Sequence, residues 1–231
     1  NYRATFTILD VPSITRGWID DIKARRILTD NCPAAWREFI EHGAYHPLRA
    51  ERSLRHRRPA EQLPTATDEV TMLQTLVGFF KAHPQGEYAF EACAAELFRM
   101  MDPNVTRIDL TRFRVDGGRD AVGKYRLGRP GASIEVEFAL EAKCKKPAPT
   151  NSSGVKETSR LISRLRHRQF GVFVTTSCVG EQAYKEIVDD QHPVVVLAGK
   201  DLVAILKEKG ISTPARLEEW LAANFSEGAR V

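Results

Sequence analysis

The sequence predicts an α/β protein built on a mixed β-sheet flanked by helices, with a small N-terminal α/β or helical appendage. Three observations carry this. Over 134–143, Ile134, Val136, Phe138, Leu140 and Ala142 alternate with Glu135, Glu137, Ala139, Glu141 and Lys143, the period-two pattern of a strand with one buried face. From residue 171 onward, short apolar runs and amphipathic segments follow one another as strand, helix, strand, helix, helix, an order that implies parallel pairing. An arginine- and proline-rich stretch without apolar period, 49–67, separates the first 48 residues from the remainder.

The first 48 residues open on an apolar run at 4–11, followed by helical patterns over 14–27 and 34–42, with Trp18, Trp36 and Phe39 as the expected core. The main domain is expected over 68–225. Its first helix, 69–81, is stopped near Pro84, and its second, 88–101, by Asp102-Pro103. Strands follow over 105–115, 121–127 and 134–143. The stretch 147–154 is a loop, and 155–168 a helix with a positive face. The strand at 171–177 is apolar throughout, as when both faces are buried, and a helix at 181–188, a strand at 194–197 and helices at 200–208 and 214–224 complete the chain.

With 231 residues and 42% hydrophobic content the chain can bury a substantial core. No apolar run approaches the roughly 20 residues that span a bilayer, and the start lacks the basic-then-apolar order of a secretory signal, so a cytoplasmic protein with no membrane partner is expected. The first residue is Asn1, which leads us to expect a piece of a longer protein. Cys32, Cys93, Cys144 and Cys178 are scattered without zinc-like spacing, which points to reduced thiols, and the apolar patterns around Cys93 and Cys144 argue for packing rather than reactivity there. Net charge is only +4, but the positive residues cluster. Arg49, Arg52, Arg55, His56, Arg57 and Arg58 form one group, and Arg160, Arg164, Arg166, His167 and Arg168 another. Such clusters attract a polyanion, although arginine-rich segments also serve as solvated linkers and helix faces.

The segment 116–145 carries the chemistry. Glu141 and Lys143 point the same way from their strand, and Asp120, just after a Gly-Gly bend, supplies a second carboxylate from the preceding strand. In isolation a Glu-x-Lys pair is an ordinary solvated strand face. With Asp120 beside it, the set suits a divalent cation bound by hard oxygens, Mg2+ above all, with Asp120, Glu141 and the Ala142 carbonyl as ligands. Lys143 would orient and deprotonate a water or stabilise developing charge, and as a base its pKa would have to fall by several units. Glu91, beside the apolar stripe of Phe90, Cys93, Ala94 and Leu97, is the candidate fourth member. Glu96 competes with Glu91, Asp116 with Asp120, and Glu137 is an extra acid on the same strand face.

The order Phe90-Glu91, Asp116-Gly-Gly-Arg-Asp120, Glu141-Ala-Lys143, Gly171-Val-Phe-Val-Thr-Thr-Ser177 and Leu197-Ala-Gly-Lys-Asp-Leu202 resembles the Mrr-type restriction endonuclease domain of the PD-(D/E)xK nuclease superfamily, over residues 68–206. The resemblance implies the restriction-endonuclease-like fold and a magnesium site at Asp120, Glu141, Lys143 and Glu91. It also implies cleavage of double-stranded DNA by a type II or IV restriction enzyme, often in dimers or larger homo-oligomers. Thr175 and Thr176 are structural in that family, and the Glu form of (Glu/Gln)-x-Lys assigns no subgroup. The N-terminal unit resembles the region that follows a base-reading domain in modification-dependent members, which places a reader of modified cytosine upstream.

DNA contacts are expected from Arg160, Arg164, Arg166 and Arg168 next to the site, and from Arg55 and Arg57. Two other readings share the fold: a DNA-binding or assembly module without chemistry, and a structure-selective repair or junction nuclease.

Overall fold

The computed structural model describes residues 56–111, 120–165 and 170–226. The chain divides between Ser53 and Leu54, and all described residues belong to the second unit. The expected N-terminal unit at 1–48, Arg49, Arg52 and Arg55, the rival acid Asp116 with its Gly-Gly bend, and Arg166, His167 and Arg168 lie outside them.

Five strands form one sheet in the order β1-β2-β3-β4-β5. These are β1 Val105–Leu110, β2 Ala121–Arg129, β3 Ala132–Lys143, β4 Phe170–Thr175 and β5 Val194–Leu197. β1, β2 and β3 are antiparallel neighbours, whereas β4 runs parallel to β3 and β5 parallel to β4. The change of sense falls at β3 itself, so its C-terminal half lies between strands on both sides. Helices α1 (Thr67–Ala82), α2 (Gly86–Met101), α5 (Gly199–Glu208) and α6 (Pro214–Phe225) share a core with one face of the sheet, through Phe138, Leu140, Ala142, Val172 and Val174. Helices α3 (Val155–Ser163) and α4 (Glu181–Asp189) cover the other face, against Ala139, Phe173, Val194 and Val196.

The turn between β2 and β3 holds Pro130 and Gly131, with Arg129 opposite Ala132 and Gly131 at φ 87°. Proline presets the first corner, and a positive φ at the second favours glycine. At Gly123 a side chain would collide with the Phe138 ring and the Arg107 carbonyl, so β2 passes close under that aromatic only because the residue is glycine.

Three expectations are corrected. β3 is not a strand with one buried face along its length: Ile134 is 66% exposed, while Phe138, Ala139, Leu140 and Glu141 are all fully buried. Its N-terminal half projects with β2 beyond β4, whose pairing starts at Phe138, and its C-terminal half is sealed from both layers. The helix expected over 155–168 ends at Ser163, where Arg164 and Leu165 close a turn. The end of the expected linker belongs to the domain. Gln62, buried at the end of a 3-10 turn at Pro59–Gln62, accepts the Val179 N–H at 2.8 Å and donates to the Val179 carbonyl at 2.9 Å. A single side chain that pairs like a strand leaves no periodicity to read.

Candidate active site

The site forms at the C-terminal end of β3. The period-two geometry of a strand sends Glu141 and Lys143 to the face shared with α3, while Ala142 faces the opposite core. Asp120 immediately precedes β2. Its backbone continues the ladder, with the Asp120 N–H donating to the Leu140 carbonyl at 3.2 Å and the Asp120 carbonyl accepting from Thr111 at 3.1 Å. The side chain is thereby brought across to β3, where Oδ2 accepts the Ala142 N–H at 2.6 Å.

Lys143 gathers the set. Its Nζ lies 2.8 Å from Glu141 Oε1 and 3.6 Å from Asp120 Oδ2, and donates to the Ala142 carbonyl at 2.9 Å. Asp120 and Glu141 are thus within reach of one shared cation, and Lys143 turns toward them rather than into the core. Glu141 is fully buried, and its nearest partner is the Lys143 ammonium. A buried carboxylate is costly unless cations face it.

Two of those cations come from α3 and the turn that closes it: Arg160 Nε at 3.7 Å and Arg164 Nη1 at 3.5 Å from the Glu141 carboxylate. They reach it because Glu157, Arg160 and Arg164 recur at helical spacing on one side of α3, while Leu161 packs into the core. The sequence reading did not single out Glu157. It accepts the Gly154 N–H at 2.6 Å at the helix start and pairs with Lys145 Nζ at 2.6 Å, which ties the first turn of α3 to the chain just beyond β3. The acid three residues after Gly154, a capping-box position, was the available signal. Thr176 also serves the scaffold, since its hydroxyl bridges the backbone N–H and carbonyl of Lys145 at 2.7 and 2.6 Å.

Glu91 projects from α2, in the layer opposite α3. Burial, then the charges of Asp120 and Glu141, push its carboxyl up to about 7, with Lys143 opposing them. Burial and Asp120 likewise raise the Glu141 carboxyl. Burial acts to lower the Lys143 ammonium, but Asp120 and Glu141 outweigh it and the net displacement is upward. In these ion-free surroundings the Lys143 ammonium is not lowered on balance as a lysine base requires, and Lys143 stands as a cation.

Two of the rival acids, Glu96 and Glu137, lie elsewhere. Glu96 pairs with Arg99 beside a recess of about 800 Å³ between α2 and β1. Glu137 is exposed and lines a smaller recess of about 200 Å³ with Lys124 and Arg107. Arg57, expected among the DNA contacts, turns inward. Its guanidinium holds both Asp201 oxygens at 2.8 and 2.9 Å and also donates to the Tyr184 hydroxyl and the Val196 carbonyl, so it serves the scaffold.

Two carboxylates and a main-chain carbonyl converging on one cation, with a lysine two residues after the central acid and basic residues alongside, can hold a divalent ion against a phosphate. Set at the end of the central strand of this mixed sheet, they are the groups here that could serve the chemistry of a nuclease domain. Residues 85–206 match the sequence model of the Mrr catalytic family, described as a restriction endonuclease, and residues 1–51 match that of the AspBHI N-terminal region of restriction endonucleases. The chain belongs to the Mrr-type restriction endonuclease family.

Among solved structures it is similar to the DNA modification-dependent restriction endonuclease AspBHI, at 47% identity over 83% of this chain and 48% of that one, with a TM-score of 0.68. It is also similar to the MspJI restriction endonuclease in complex with a 27-mer oligonucleotide, at 31% identity over 83% of this chain and 44% of that one, with a TM-score of 0.59. The chain thus spans about half the length of these two relatives. No curated protein sequence matches it. No helix among the described residues is long and apolar enough to cross a membrane.

Proposed function

We propose that this chain carries the cutting domain of an Mg2+-dependent endonuclease that hydrolyses phosphodiester bonds of double-stranded DNA, in a restriction enzyme directed at modified bases. The observation that carries this reading is the meeting of Asp120, Glu141 and the Ala142 carbonyl around one cationic centre. The donor set fits Mg2+: all three atoms are hard oxygens, and the buried Glu141 carboxylate is already faced by positive charge. Among the described residues no three His, Cys, Asp or Glu side chains cluster as a metal cage, and Mg2+ commonly takes one or two carboxylates with waters filling its remaining positions. When bound, the ion offsets charge on the attacked phosphate and makes a water more acidic.

The residues divide the remaining work. Asp120 and Glu141 hold the ion, with the Ala142 peptide keeping Asp120 in place. Lys143, held in its charged form, aims the water and stabilises the negative charge that develops at the phosphate. Glu91, whose carboxyl burial and the neighbouring acids raise to about 7 in the ion-free site, is the group beside them able to take up a proton. Arg160 and Arg164 offer phosphate contacts on the α3 side, with Arg166 and Arg168 extending the same basic run in sequence.

One such site cuts one strand, so a double-strand break calls for a homo-oligomer, acting in the cytoplasm where invading DNA arrives. The match of residues 1–51 and the description of AspBHI as modification-dependent support a modified-base substrate. The test is digestion of unmethylated, cytosine-modified and branched duplexes, with and without Mg2+, by wild type and Lys143→Ala. Mg2+-dependent cutting of modified linear duplex, lost in the variant, is the expected result. Preference for branched DNA would instead make this a structure-selective nuclease. Binding without cutting under every condition would make it a module without chemistry.

A further inference from the structure

The oxygens best suited to a divalent cation already surround a cation of the protein's own. Lys143 Nζ stands 2.8 Å from Glu141 Oε1, 2.9 Å from the Ala142 carbonyl oxygen and 3.6 Å from Asp120 Oδ2. We propose that Lys143 is an internal competitor for the divalent ion, filling its place among Asp120, Glu141 and Ala142 and withdrawing when the ion binds. This rests on the reading of the site as an Mg2+ site.

Two cations cannot share these three atoms. An ion bonded to Glu141 Oε1 and the Ala142 carbonyl at roughly 2.0–2.1 Å would stand in the space the ammonium fills, with like charges at contact distance in a largely buried place. One of the two has to leave, and the structure indicates which group moves. The Ala142 carbonyl is part of the β3 backbone, held in the sheet. Asp120 is pinned by the Ala142 N–H at 2.6 Å, and the Glu141 side chain is fully buried. Lys143 combines a flexible four-carbon stem with a side chain 26% exposed, so it can swing from between the oxygens to the open mouth of the site, where it would still face a bound phosphate.

The arginines differ from it. Arg160 and Arg164 reach Glu141 from α3 at the longer distances of 3.7 and 3.5 Å. They lend positive charge to that one ligand from the helix side, whereas Lys143 occupies the space between all three oxygens. In the ion-free state Lys143 therefore relieves the repulsion between Asp120 and Glu141, and the site stays assembled while its affinity for the divalent ion is held down.

The experiment measures Mn2+ binding directly, by calorimetry and by the spin-resonance signal of free Mn2+, on the full chain. Wild type is compared with Lys143→Met, which keeps length and loses charge, and with Arg164→Met, which removes one charge near Glu141. Circular dichroism confirms folding, and Lys143→Gln replaces the methionine variant if that one does not fold. Loss of Lys143 is expected to tighten Mn2+ binding about tenfold or more, and loss of Arg164 by less than about threefold. Equal affinity of Lys143→Met and wild type, or an equal gain in Arg164→Met, overturns the competition while leaving the functional reading intact. Absence of Mn2+ binding in all three proteins overturns both.

Discussion

The Asp120 carboxylate and the Ala142 peptide, 22 residues apart in the chain, are joined by a hydrogen bond of 2.6 Å. The next peptide along β3 presents the Ala142 carbonyl to the Lys143 ammonium at 2.9 Å. Ala142 therefore fixes the bend before β2 through its N–H and faces the cationic centre through its carbonyl. The acid and the strand are held in register by backbone rather than by long side chains.

Asp120→Asn follows from this bond. The amide oxygen still accepts the Ala142 N–H, so the fold is kept and the thermal midpoint stays close to that of wild type. The charge that would hold Mg2+ is lost, and single-turnover cleavage of a plasmid substrate should fall on the order of 10²- to 10³-fold. A variant that cuts at the wild-type rate would remove Asp120 from the mechanism.

Glu91 makes ion-free stability depend on pH. Its carboxyl titrates near 7 when folded, well above the ordinary 4.5, so between those values the folded state binds more protons than the unfolded one. Stability in chelator is therefore greatest toward the acid side of that window and declines as pH rises through it. The raised Glu141 carboxyl adds in the same direction. Thermal midpoints recorded from pH 4.5 to 7.5 should show this decline in wild type and a shallower one in Glu91→Gln. Identical slopes would mean that Glu91 does not feel Asp120 and Glu141.

Arg160→Ala and Arg164→Ala should weaken DNA binding in a salt-sensitive way. Removing one phosphate-binding side chain reduces the slope of log affinity against log salt by about 0.9. Fluorescence anisotropy with one duplex at several salt concentrations measures it. Lys143→Ala, measured alongside, should retain the wild-type slope while losing cleavage.

Arg57→Ala should act on the fold rather than on DNA. Removing the guanidinium leaves both oxygens of the half-buried Asp201 and the Val196 carbonyl without this partner, a destabilisation of about 1–3 kcal/mol in urea denaturation. The salt slope of DNA binding should be unchanged. A reduced slope with unchanged stability would return Arg57 to the DNA-facing set.

Much of this site was legible because strand and helix periods are local. Alternation alone sends Glu141 and Lys143 the same way, and the apolar stripe of α2 leaves Glu91 and Glu96 flanking it. The choice between those two was not legible. They stand about 140° apart around the helix at about 100° per residue, and which flank meets the end of the sheet depends on how α2 lies across it. Burial on both faces of β3 over 138–142 was hidden for a related reason. Ala139 looks neutral in the pattern, yet it and Gly171 make the shallow surface into which Leu161 and Leu165 fit. That fit also delivers Arg160 and Arg164 to Glu141.

The amino-acid sequence by itself determined the order of elements, the mixed sheet and the turning of Glu141 and Lys143 to one side of their strand, because each follows from side-chain period, turn chemistry and spacing along a short stretch. Tertiary structure alone decided that Arg57 belongs to the scaffold and that Glu91, rather than Glu96, lies where it feels the charges of Asp120, Glu141 and Lys143. It alone also decided that oxygens from Asp120, Glu141 and Ala142 meet at the Lys143 ammonium. These are relations set by packing, and they exist only once separate elements come within bonding distance.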